Sequence, residues 1–331
     1  MKICVVGDGA WGTALALNML RNGHSVIMWG AFPDYLREMA EKKENFRFLP
    51  GVKLPDNLLF ESDLPQALSN VDAILLATPT QYLRPVLRQI AGNHPQNALF
   101  INVAKGIEND SWMRISEVIF QELGDVTLVD LSGPSHAEEV SRQIPTAVVA
   151  ASADPDAAAT IQRLMMNDSF RVYTSSDVTG VELGGAIKNV MAVAAGIIDG
   201  MDLGDNPKAA MMTRGIAEMS RLGEALGGKR NTFSGLSGIG DLIVTCASCH
   251  SRNRHVGEEL GRGKKLPEII REMKMVVAEG VSTAKGAYTL ARQAGVDTPI
   301  IDAVYEILYQ DRSAVEALHT LMNREARSEE E

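Results

Sequence analysis

The chain has 331 residues, with 45% hydrophobic and 22% charged side chains, which excludes a disordered or low-complexity protein. Its 32 Lys and Arg against 42 Asp and Glu leave a formal charge of −10, which argues against nucleic acid or an anionic membrane surface as a general partner. A small anionic substrate stays possible if the fold gathers a local basic pocket.

The predicted elements begin at once. A strand-like run, Ile3–Val6, leaves no room for a signal peptide, and no apolar run approaches the roughly 20 residues of a membrane span. The expectation is a soluble cytoplasmic protein without membrane insertion. Further strand candidates are Ser25–Trp29, Ala73–Ala77, Ala98–Val103, Val126–Leu131, Thr146–Ala151 and Phe170–Tyr173. Amphipathic stretches such as Pro85–Ile90 and Met113–Glu122 lie between them, and this alternation predicts a parallel sheet with helices on both faces. From about Asp177 the pattern turns helical: Val181–Met201 is long, apolar and rich in Gly and Ala. Met211–Leu226, Pro267–Met273, Thr283–Ala294 and Ile300–Tyr309 follow. The predicted organisation is an α/β half of the doubly wound Rossmann type, residues 1–178, followed by an all-α half, residues 179–331. The closing Arg327–Glu331 reads as a solvated tail.

Gly7-Asp8-Gly9-Ala10-Trp11-Gly12 fits G-x-G-x-x-G between the first strand and a helical stretch, Thr13–Leu20. In that context Gly7 allows a tight turn, Gly9 close approach of a pyrophosphate, and Gly12 close packing of helix on strand. The free N–H groups of the helix N-terminus would face the anion. The second strand ends at Trp29-Gly30-Ala31-Phe32, without the Asp or Glu that usually bonds the ribose of NAD. Asp34 lies too far along and no Arg stands at the turn, so NADPH is expected to be accepted alongside NADH.

Polar groups follow other strand ends, where ligands bind in open α/β sheets. They are Thr78, Lys105 and Ser132-Gly133-Pro134-Ser135, where Ser135 could cap a helix or hold an oxygen-rich ligand. Lys188 stands in a segment apolar nearly all round, so its ammonium must be paired or have a lowered pKa, unless it snorkels out or pairs with Glu182. Asp241 follows a glycine-rich turn and could orient a lysine or cap a helix. Ser251-Arg252-Asn253-Arg254 suits a phosphate, because a guanidinium fork matches its oxygens.

Cys246-Ala247-Ser248-Cys249-His250 imitates a haem-attachment motif, but the chain has no export signal. Zinc on Cys246, Cys249, His250 and His255 would crowd four ligands into ten residues, so no metal is expected. With Cys4 these are the only cysteines, too few for a disulfide framework.

Several segments in one order are more specific than any single motif. They are Gly7–Gly12 with Trp11, Phe46–Gly51 with Leu54-Pro55, Asn102–Glu108, Leu131–Ala137, Lys188-Asn189, Gly238–Leu242 with Thr245, Ser251–Asn253 and Val277–Val281. Together they resemble the bacterial NAD(P)-dependent glycerol-3-phosphate dehydrogenases over nearly the whole chain. The resemblance implies reduction of dihydroxyacetone phosphate to sn-glycerol 3-phosphate for phospholipid synthesis, in a homodimer. It implies Lys188 as the acid/base, aided by Lys105 and Asp241. It places Lys105, Gly133, Ser135, Asn189, Asp241, Thr245, Ser251, Arg252 and Asn253 at the substrate. Ala10, Trp11, Phe32, Phe46, Lys105, Ala137, Arg252, Val277 and Glu279 fall at the cofactor, with the three glycines. Two positions depart from the family: Ala10 where Ser is common, and Ala31 where a basic residue is common. The alternatives are another two-domain 3-hydroxyacid-type dehydrogenase and a non-catalytic nucleotide-sensing module.

Overall fold

The computed structural model describes residues 1–273, 277–326 and 328–329, so Arg327, Glu330 and Glu331 of the expected tail lie outside the described residues. Eight strands form one sheet: β1 Lys2–Val6, β2 Ser25–Trp29, β3 Leu58–Phe60, β4 Ala73–Leu76, β5 Leu99–Asn102, β6 Leu128–Ser132, β7 Thr146–Ala151 and β8 Phe170–Ser175. Their order is β3-β2-β1-β4-β5-β6-β7-β8. Successive residues of β1 serve opposite faces: Ile3 and Val5 enter one core, Cys4 and Val6 the other. Both faces are covered, which is why the strands read as unbroken apolar runs.

Two features differ from the sequence expectation. β3 is a three-residue edge strand whose central Leu59 is exposed, too short to show a period. β7 pairs antiparallel with β6, breaking the all-parallel expectation, while β7 and β8 are parallel. The reason lies in the connection. Its only helix, Ala137–Ser141, is five residues, roughly 8 Å long, too short to carry the chain back past a strand. The chain therefore turns at the same end of the sheet and runs back.

After β8 the structure is helical, and its axis is the 23-residue helix Val178–Gly200, capped by the Asp177 carboxylate on the Gly180 N–H. This helix is long and apolar enough to cross a bilayer, contrary to the sequence reading, but 83% of its apolar window is buried inside the fold. Helix Arg252–Gly261 crosses it with backbones in contact. A Cβ on Gly257 would overlap the Val193 carbonyl, and one on Gly196 would overlap that of Arg254. Glycine at both positions is what permits the approach. The crossing brings Arg252 and Asn253 to the cleft that Lys188 also lines, with Asn253 bonded to Asn189.

Candidate active site

The sheet reverses its order at β1, with β2 on one side and β4 on the other. Ligands bind at such switch points. Here the carboxyl ends of the strands open into a cleft of about 720 Å³ that runs on to the helical half. Gly7 has φ +128°, and a Cβ there would lie 2.7 Å from the Ala77 carbonyl oxygen. A Cβ on Gly12 would lie 2.6 Å from the Gly7 oxygen, so no larger residue fits between helix and strand. A Cβ on Gly9 would meet nothing within 4 Å, which leaves its backbone open to a ligand. Buried polar atoms without partners also mark this cleft: Trp11 Nε1, Asp8 Oδ2 and Glu279 Oε2. Burial pushes the Glu279 carboxyl up to about 7, although the Thr80 N–H donates to it at 2.9 Å. The donor and acceptor set fits a dinucleotide.

Where the two halves meet, two lysines share one carboxylate. Lys188 Nζ donates to Asp241 Oδ1 at 3.0 Å and to Thr245 Oγ1 at 2.7 Å. Lys105 Nζ donates to Asp241 Oδ2 at 2.6 Å and to the Gly133 carbonyl at 3.0 Å. Lys188 is 7% exposed yet lines the cleft. Burial lowers its pKa to about 8; Asp241 opposes that shift and the Lys105 charge adds to it. Burial alone would raise the Asp241 carboxyl, but the two ammonium groups outweigh it and hold it below the usual range. Glu182 is not the partner of Lys188. It binds Arg114 at 2.6 Å and the Ser116 N–H at 2.7 Å instead.

A chain of amides braces the site. Asn189 Nδ2 donates to the Lys105 carbonyl at 3.4 Å, and Asn253 Nδ2 donates to Asn189 Oδ1 at 2.8 Å. Asn253 Oδ1 in turn accepts from the Gly280 N–H at 2.8 Å. Ser251 caps helix Arg252–Gly261 by accepting from the Arg254 N–H at 3.2 Å. Arg252 lines the cleft without a hydrogen-bonded partner among the described residues, and burial lowers its pKa. An unpaired, partly buried guanidinium is a ready seat for an anion.

The cleft gathers Gly7, Gly9, Ala10, Trp11, Phe32, Lys105, Ser135, Ala137, Lys188, Asn189, Thr245, Ser251, Arg252, Asn253, Val277 and Glu279. Four sequence-selected residues stand elsewhere. Gly12 lies behind the loop. Phe46 packs edge-on to Tyr35 at 5.1 Å, and Phe48 takes the place at the cleft. Gly133 contributes its carbonyl to Lys105 and Ser135. Asp241, 2% exposed with both oxygens engaged, meets a substrate only through the lysines. Neither Ser135 nor Asp241 caps its helix. The N-caps are His136 and Gly240, and the Ser135 hydroxyl donates to the Gly133 carbonyl at 2.8 Å. Asn253 braces Asn189 and Gly280 through one bond at each end of its amide, which leaves the second N–H of its Nδ2 for a ligand. His136 and His250, which the sequence reading did not select for the coenzyme or substrate site, line the cleft with ring centroids 5.8 Å apart. Each lies inside a segment already noted, and only their convergence was hidden. Cys246 is buried in the helical core and Cys249 is exposed. Among the described residues no cluster of three His, Cys, Asp or Glu could hold a metal ion.

Sequence models of the NAD-dependent glycerol-3-phosphate dehydrogenase N-terminus and C-terminus match residues 2–158 and 177–319. The chain belongs to this family. A relative named glycerol-3-phosphate dehydrogenase, NAD(P)+, from Chlorobium chlorochromatii (strain CaD3) is 49% identical over 332 residues, covering 99% of each chain. One of the same name from Bacillus pumilus (strain SAFR-032) is 49% identical over 98% of this chain and 94% of its own. The crystal structure of glycerol-3-phosphate dehydrogenase from Coxiella burnetii superposes with a TM-score of 0.94 at 36% identity, covering 98% and 99% of the two chains. A PanE/ApbA family ketopantoate reductase from Ralstonia eutropha JMP134 reaches a TM-score of 0.61 at 16% identity, over 94% of this chain and 98% of its own. That likeness shows the fold alone. The family membership favours the first reading over the 3-hydroxyacid alternative.

Proposed function

We propose that the chain catalyses reversible hydride transfer between a nicotinamide coenzyme and dihydroxyacetone phosphate, giving sn-glycerol 3-phosphate, with Lys188 as acid/base. The observation that carries this reading is a buried lysine on the cleft wall, hydrogen-bonded to Asp241 and Thr245. A passive nucleotide sensor has no use for a titratable group placed there.

When bound, the coenzyme supplies the hydride. The protein must then neutralise the charge that grows on the carbonyl oxygen. A pKa of about 8 leaves Lys188 mostly protonated near neutral pH, and as a better acid than an ordinary lysine. In the reverse direction its amine accepts the hydroxyl proton. Lys105 adds a second positive charge at the same wall. Arg252 takes the substrate phosphate, and that remote binding energy orients the carbonyl toward Lys188. Asp241, Asn189 and Asn253 hold these groups in place.

In this reading residues 1–178 hold the dinucleotide and 179–331 carry the substrate. Resemblance supports a cytoplasmic homodimer whose partners are small phosphorylated molecules rather than nucleic acid or membrane. The test is loss of reduced-nicotinamide absorbance on adding dihydroxyacetone phosphate, with unphosphorylated dihydroxyacetone as control. Equal rates with both ketones would remove the phosphate role, and no turnover of either would remove the activity.

A further inference from the structure

We propose that Asp8 selects the coenzyme, its carboxylate accepting from the adenosine ribose hydroxyls of NADH and repelling the 2′-phosphate of NADPH. The proposal rests on the dinucleotide reading above and names a preference within it. Rossmann-type sites that prefer NAD usually carry this acid at the end of the second strand. In this chain the second strand ends in Trp29-Gly30-Ala31, with no acid and no cation.

The fold brings the acid from the neighbouring strand. Val6 pairs with Trp29, so Gly7-Asp8 and Gly30-Ala31 leave the sheet side by side. A Cβ on Gly30 would overlap Asp8 Oδ2, so the Asp8 carboxylate fills the space that a side chain at 30 would take. Asp8, Trp29, Ala31 and Phe32 line one end of the cleft. The backbone of Asp8 is held there by Asn45, whose Nδ2 donates to the Asp8 carbonyl at 2.8 Å.

One oxygen of the carboxylate is also unsatisfied. Oδ2 is buried with no hydrogen-bond partner, and burial raises the Asp8 pKa. A buried acceptor without a donor is costly, and a ribose diol supplies two donors. A phosphate monoester would instead bring about two negative charges against it. The cation that acts on Asp8 is Arg47, whose guanidinium lies over the Tyr35 ring at 4.6 Å. If Arg47 instead served a 2′-phosphate, NADPH would bind more tightly, and the test reads that outcome.

The sequence reading allowed NADPH because the usual acid was missing from the second strand. The acid is present through space, which adds a preference for NADH to the acceptance of both coenzymes. The experiment is calorimetric titration of the full-length protein with NADH and with NADPH, without substrate. The wild type should bind NADH at least tenfold more tightly, the scale of one hydrogen bond to a charged group. Asp8→Asn, which keeps the shape and removes the charge, should cut that ratio about tenfold. Ala31→Arg, which leaves Asp8 untouched, should raise NADPH affinity while leaving NADH within a few-fold. Equal affinities in the wild type, tighter NADPH, or an unchanged ratio in a folded Asp8→Asn protein would overturn the proposal and leave the dinucleotide site standing. Binding of neither coenzyme would remove the dinucleotide reading itself, and the proposal with it.

Discussion

Lys188 and Asp241 come from different helices, 53 positions apart, and meet at 3.0 Å in a region almost closed to water. Asp241 also holds Lys105 at 2.6 Å, so a single carboxylate balances two ammonium groups. Burial lowers the Lys188 pKa most, the Asp241 carboxylate opposes that, and the Lys105 ammonium adds to it, so the group is left near 8.

Replacing Lys188 with Ala should abolish most turnover, by roughly 100-fold or more, the usual scale for a lost general acid. Coenzyme binding should persist, since the glycine loop that would hold the pyrophosphate is untouched. Stopped-flow turnover beside a binding titration separates the two effects. A near-wild-type rate would remove Lys188 from the mechanism.

The pH profile follows from the same group. Ketone reduction needs the ammonium form, so its rate should fall as pH rises through about 8. Alcohol oxidation needs the amine, so its rate should rise over the same interval. Initial rates in both directions across pH 6 to 10 check the sign. Parallel profiles in the two directions would contradict it.

Asp241→Asn should push the Lys188 pKa still lower, because two ammonium groups then face each other without a counter-charge. The reduction profile should break at lower pH, with a loss in kcat larger than that in KM. A merely structural role would lower the amount of active enzyme without moving the break.

Arg252→Ala should act mainly on KM for dihydroxyacetone phosphate, raising it by about 10- to 100-fold, the worth of one or two charge-assisted hydrogen bonds. The rate with unphosphorylated dihydroxyacetone should barely change. Equal losses on both ketones would place the phosphate elsewhere.

Gly257→Ala tests the helix crossing. Its Cβ would overlap the Val193 carbonyl, which is backbone and cannot step aside. Overpacking of this kind costs about 1–3 kcal/mol, and helix separation would also move Arg252. Thermal melting should show the loss, and the variant should retain a raised KM at temperatures where it is folded. Unaltered melting would show that the helices can part freely.

The parts legible in the sequence were those set by local chemistry. Period and composition marked seven of the eight strands, the change to helices near Asp177, and the glycine loop between strand and helix. Lys188 stood out because an ammonium in an apolar helix must be explained by a partner or a perturbed pKa. Short elements escaped this logic. Leu58–Phe60 has too few residues to show a period, and the direction of Thr146–Ala151 depended on how far a five-residue helix can carry the chain.

Only the tertiary structure decided what each polar residue faces. Asp241 reads in sequence as a possible cap and is in space the shared counter-ion of two lysines. Asn253 reads as a phosphate ligand and in space also braces Asn189 and Gly280. Asp8 reads as an unassigned position inside a glycine motif and in space packs its carboxylate against Gly30, just past the end of the second strand. Propensity and periodicity act between residues a few positions apart, whereas pairing, burial and charge act across space, between residues the chain brings together only when it folds.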